Sequence, residues 1–130
     1  MIGIVIVAHG GLAREYLAAV EHVVGQQEGM RAVEIQPDHD RAQKQNEICD
    51  AAEMVDTGDG VVVVTDMFGG SPSNLSLRAC SPSNRKILYG ANLPMLIKLA
   101  KSRSLPVSEA VEASKVAGRK YINSFDGKMS

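Results

Sequence analysis

The chain has 130 residues, 45% of them apolar and 22% charged, a balance that fits a folded domain rather than a disordered chain. The length suits one domain, residues 1–130, with enough surface to bury that no metal or disulfide staple is needed. Fourteen basic against fifteen acidic residues leave a net charge of −1, which argues against a dedicated nucleic-acid binder.

No apolar run approaches the ~20 residues that cross a bilayer, so membrane insertion is not expected. Met1–Ala8 is apolar but short and carries no basic flank. It reads as a strand rather than a secretory signal, and a cytoplasmic protein is expected. Cys49 and Cys80 lie in unrelated contexts with no CxxC spacing, and read as small buried hydrophobes rather than redox partners.

Strand and helix patterns alternate along the chain. Gly3–Ala8 is a continuous apolar run, as in a strand buried on both faces. Leu12–Val24 reads as a helix with Leu12, Tyr16, Ala19, Val20 and Val23 on its inner face, stopped by Gly25. Met30–Ile35 is a second strand, ended by Pro37. Asp38 or Asp40 caps a helix over Arg41–Val55, with Ala42, Ile48, Ala51, Ala52 and Val55 apolar. A turn over Thr57–Gly60 leads to Val61–Thr65, the clearest central strand, closed by Asp66.

A Gly-Gly loop then precedes a short helix over Pro72–Ala79. Lys86–Tyr89 is a fourth strand, and helices over Leu93–Lys101 and Val107–Ala117 follow. Arg119–Ser124 is a last strand, polar enough for a sheet edge. The succession implies an α/β fold with a mostly parallel, doubly wound sheet and helices on both faces. Ser-Pro-Ser-Asn occurs at 71–74 and again at 81–84, which reads as turn chemistry rather than a repeat architecture.

Ligands in open α/β sheets bind beyond the carboxyl ends of the strands, where strand order reverses. A 2-1-3-4 order makes the first and third strands neighbours. It brings His9, just past the first, within reach of Asp66, just past the third. Each has a bland reading, as a satisfied loop histidine and a capping aspartate. Paired, Asp66 accepts Nδ1–H, fixes the His9 tautomer and leaves the Nε2 lone pair free. His22 and His39 read as solvated surface residues. The three histidines lack metal-ligand spacing, so no metal is expected.

Gly69, Gly70 and Ser71 precede Pro72 at a helix start. Glycines there let the backbone approach an anion closely, and N–H groups at the helix start would hold an oxyanion or phosphoryl group. A Ser71–His9–Asp66 hydrolase is disfavoured, because Pro72 has no N–H to complete an oxyanion hole. A phospho-aspartate switch at Asp66 lacks the further carboxylates for a divalent metal. A metal-free phosphohistidine carrier uses every part. Neither GxGxxG nor GxxxxGK[ST] occurs, and no cofactor is expected.

The segments IVIVAHG at Ile4–Gly10, VTDMFGGSPSN at Val64–Asn74 and GANLPML at Gly90–Leu96 give a further reading. Together they resemble the mannose-type IIA component of the bacterial phosphoenolpyruvate-dependent sugar phosphotransferase system, from Met1 to about Tyr121. The resemblance implies a phosphotransferase with a 2-1-3-4 sheet that takes a phosphoryl group from HPr on Nε2 of His9. It implies that Asp66 orients His9, that Gly69–Ser71 lies beside the phosphoryl group, and that a IIB partner is the acceptor. It also implies a homodimer in which the C-terminal strand, here Arg119–Ser124, adds to the partner's sheet. Many members continue through a linker into a IIB domain, whereas this chain stops at Ser130. A stand-alone regulatory phosphoprotein and a IIA-like subunit of dihydroxyacetone kinase are therefore the alternatives.

Overall fold

Four valines and a threonine, Val61–Thr65, form strand β3, and every one of them is buried. A strand hidden on both faces must sit inside a sheet covered on both sides. The structure, a computed structural model, describes residues 1–67, 71–80 and 82–127. Its elements in chain order are β1 (Gly3–His9), α1 (Leu12–Val24), β2 (Met30–Ile35), α2 (Arg41–Val55), β3, α3 (Ser71–Ser76) with a 3₁₀ turn (Leu77–Cys80), β4 (Arg85–Tyr89), α4 (Leu93–Lys101) and α5 (Val107–Lys120).

The sheet is parallel, in the order β2-β1-β3-β4. Side chains alternate across it, because successive Cβ atoms of a strand point to opposite faces. Ile4, Ile6, Ala8, Val62 and Val64 meet Ala13 and Val20 of α1, Leu96 and Leu99 of α4 and Ala110 and Val111 of α5. Val5, Val7, Val61 and Val63 meet Ile48, Ala52 and Val55 of α2 and Leu75 of α3. Two cores thus sandwich one sheet, as an α/β pattern with both faces covered demands.

Local chemistry sets the element ends. Asp40, the second of the two expected caps, accepts the N–H of Gln43 at 3.0 Å on Oδ1 and starts α2. Asn92 does the same for Met95 at 3.0 Å, and its Nδ2 donates to the Gly118 carbonyl at 3.0 Å, fastening α4 to α5. At the amino ends of the strands, buried Arg103 donates from Nε to the Ile2 carbonyl at 2.7 Å and from Nη2 to that of Gly29 at 3.3 Å. Cys49 and Cys80 are free and half-buried against the second core.

Three expectations are corrected. The inner face of α1 is Ala13 and Val20, with Tyr16, Leu17 and Val24 packed beside them, whereas Leu12 and Val23 are exposed. Both stripes have helical spacing, and the tighter one faces the sheet because the small Ala13 lets α1 approach it. On α2, Ala42 is exposed. The last strand is absent: α5 runs on through Arg119 and Lys120, and residues 121–127 have no regular secondary structure. Arg119 and Lys120 suit the last turn of a helix, where cations offset the dipole.

Candidate functional site

The carboxyl ends of β1 and β3 define the site. Their register closes on Val7 beside Thr65, so Ala8 and His9 run past the end of the ladder on one side and Asp66 on the other. His9 N–H donates to Asp66 Oδ2 at 3.1 Å, and the Nδ1–Oδ2 distance is 2.7 Å. A carboxylate accepts, so the contact suits the tautomer with its proton on Nδ1, and in that tautomer Nε2 holds the lone pair. The imidazole side chain is 50% exposed and the carboxylate 13%. The histidine therefore faces solvent while its partner is fixed behind it, an arrangement suited to a nucleophilic nitrogen.

The surroundings hold that pair in place. Gly10 has φ +57, a left-handed conformation natural to glycine, and its N–H donates to the Ile35 carbonyl at 2.8 Å. That bond lays the end of β1 beside the end of β2. On the other side, Ala91 N–H donates to the Thr65 carbonyl at 3.1 Å. Tyr16 of α1 donates its hydroxyl to the Ala91 carbonyl at 3.1 Å. Burial, and secondarily the nearby Asp66 charge, push the Tyr16 phenol above its ordinary value. Thr65 Oγ1 and Asp66 Oδ1 are buried and make no hydrogen bond with the described residues.

The predicted pair His9 and Asp66 is thus brought together. Gly69 and Gly70 lie outside the described residues, and Ser71 is the first residue of α3. His22 is exposed on the last turn of α1, as expected. His39 departs from its surface reading. It is half-buried, and with His9, Gly10, Ile35, Gln36 and Pro37 it lines a cavity of about 610 Å³. The rule that drew attention to the ends of β1 and β3 applies equally to β2, after which His39 stands. Tyr16 was legible only as a core residue, since nothing in its local sequence points to Ala91.

No group of three or more metal-ligating side chains occurs among the described residues, and none of their helices is long and apolar enough to cross a membrane. The chain matches the EIIA-man family model, described as PTS system fructose IIA component, over residues 3–115. It is 27% identical over 130 residues to the PTS system mannose-specific EIIAB component of Escherichia coli K12, covering 98% of this chain but 40% of that protein. It is 25% identical over 129 residues to the PTS system sorbose-specific EIIA component of Lacticaseibacillus casei, covering 98% and 93% of the two chains. Phosphotransferase system component EIIA from Streptococcus agalactiae superposes with a TM-score of 0.79 at 27% identity, over 95% of this chain and 97% of that one.

Proposed function

Because the chain belongs to the EIIA-man family of phosphotransferase-system IIA components, we propose that it is a phosphocarrier that takes a phosphoryl group from phospho-HPr on Nε2 of His9. The single observation carrying this reading is the 2.7 Å contact of His9 Nδ1 with Asp66 Oδ2, on a side chain that is 50% exposed. In the step, the Nε2 lone pair forms a bond to phosphorus as the bond from phosphorus to the HPr nitrogen breaks. The bonding pair leaves with the donor. Asp66 offsets the positive charge that grows on the ring, and positioning does most of the work.

Onward transfer to a IIB partner reverses the same step. Gly69, Gly70 and Ser71 are proposed to cradle the phosphoryl oxygens, a role that rests on their sequence. The step as written asks for no metal or cofactor. The proposed setting is the cytoplasm, where a IIA domain over residues 1–130 meets HPr. A homodimer is also proposed, since Tyr121, Ile122 and Phe125 at the C-terminus are 67%, 75% and 91% exposed and offer apolar surface to a second copy. Sedimentation of the chain with and without residues 121–130 tests it: equal masses refute a dimer held by that segment.

The experiment that tests the carrier reading is phosphorylation with enzyme I, HPr and labelled phosphoenolpyruvate. The expected label is lost in acid, kept in base and absent from His9→Ala. Normal labelling of His9→Ala, or an unlabelled protein beside labelled HPr, refutes the proposal.

A further inference from the structure

We propose that His39 is a second histidine of the phosphoryl site, its Nε2–H donating to an oxygen of the phosphoryl group carried on His9. The proposal rests on the reading of His9 as the phosphoacceptor.

Three observations carry it. First, His9 and His39 line one cavity of about 610 Å³ although one ends β1 and the other follows β2. The Gly10–Ile35 hydrogen bond is what sets those two strand ends side by side. Second, His39 Nδ1 is buried and has no hydrogen-bond partner among the described residues. A buried N–H without an acceptor is rarer than a buried lone pair without a donor. That places a ring proton on Nε2, which is not among the buried unpartnered atoms. Third, among the described residues the cavity offers an anion few other side-chain donors. Ile35 and Pro37 have no side-chain donor, Gly10 gives its N–H to Ile35, and Gln36 turns its amide to Glu34 Oε2 at 3.3 Å.

A phosphoryl group brings three acceptor oxygens to His9, whose other nitrogen is held by a carboxylate. One ring N–H from His39 answers part of that demand, beside the proposed Gly69–Ser71 cradle. A single ring N–H holds the group in orientation more weakly than an arginine fork would, which suits a carrier that must release it.

The test uses the full chain, labelled with ¹⁵N. Ring ¹⁵N–¹H correlations of the histidines are recorded before and after phosphorylation by enzyme I, HPr and phosphoenolpyruvate. Single-turnover transfer from phospho-HPr is then timed for wild type, His39→Ala and His39→Gln. The expected result is an Nε2–H tautomer at His39 whose ring signals shift on phosphorylation while those of His22 stay in place. His39→Ala should transfer about ten-fold more slowly, the loss of one hydrogen bond to a charged group. His39→Gln, which keeps an N–H, should recover most of that rate.

Unmoved His39 signals in the phosphorylated protein, or a His39→Ala rate equal to wild type, overturn the proposal. The spectra of wild type decide the matter even if His39→Ala folds poorly. Absence of label from His9 in the wild type overturns the phosphoacceptor reading itself, which is a different result.

Discussion

Replacing Asp66 by asparagine isolates charge from geometry at the site. The asparagine side chain has the same shape, and its amide oxygen can accept both hydrogen bonds that His9 now gives to Oδ2, at 3.1 and 2.7 Å. The negative charge is what disappears. As Nε2 bonds to phosphorus while Nδ1 keeps its proton, the ring becomes cationic beside that position. Two unit charges ~4 Å apart attract by about 1 kcal/mol in water and about 4 kcal/mol at the effective dielectric near a protein surface.

The carboxylate is 13% exposed and the ring 50%, so the interaction falls between those limits. About 2 kcal/mol is a reasonable middle value, and it slows transfer about 30-fold. Quench-flow timing of a single turnover from phospho-HPr reads this directly, and a thermal melt checks that the fold is intact. If the Asp66→Asn variant keeps the Nδ1–H tautomer and transfers within about threefold of wild type, the Asp66 charge does not assist the reaction.

Other expectations follow from the packing. A methyl group at Gly3 would run into the Val55 carbonyl oxygen and lie 2.6 Å from Val55 Cγ2, so Gly3→Ala should cost about 1–3 kcal/mol in urea unfolding. A loss below about 0.5 kcal/mol would mean that α2 shifts freely away from β1. Burial, opposed by the Arg85 charge, pushes the Cys80 thiol up to about 11. In a Cys49→Ala background it should react with a thiol reagent near neutral pH roughly a hundredfold more slowly than in urea, and equal rates would refute its burial. The Gly58 N–H, and after it Arg85 at 3.0 Å, hold the Asp56 carboxyl below its usual range. Its stabilising contribution is therefore complete above about pH 4 and is lost as pH falls through the lower folded value. Asp56→Asn should flatten the acid limb of stability against pH, and an unchanged limb would contradict the assignment.

Much of this was legible from residue order. Val61–Thr65 announces a central strand because no sheet edge tolerates such a run, Gly25 marks the end of α1, and Asp40 marks the start of α2. Asp66 was legible because it breaks that run at a carboxyl end. What escaped depends on contacts remote in sequence. Leu12, Tyr16 and Val23 make as good a helical stripe as Ala13, Tyr16 and Val20, and only the sheet chooses between them. Arg119–Ser124 has strand-like residues, but the helix before it takes Arg119 and Lys120, and the remainder joins no sheet in this chain. His39 was misread because burial of a ring nitrogen arises from the packing around the β2–α2 connection, not from any property of Asp38, His39 and Asp40 as neighbours.

The inner position of β1 has a consequence for how the protein is made. It is the first strand synthesised, yet it lies between β2 and β3, and its histidine meets a carboxylate 57 residues later in the chain. A nascent chain released from the ribosome before Asp66 carries the histidine with nothing to hold its ring. Parallel pairings across such separations form late in folding. The pair is then tied to the most protected part of the molecule: β1 amides should exchange with deuterium only through global unfolding, ahead of which the outer strands β2 and β4 open. Competence to react and completion of the fold thus arrive together.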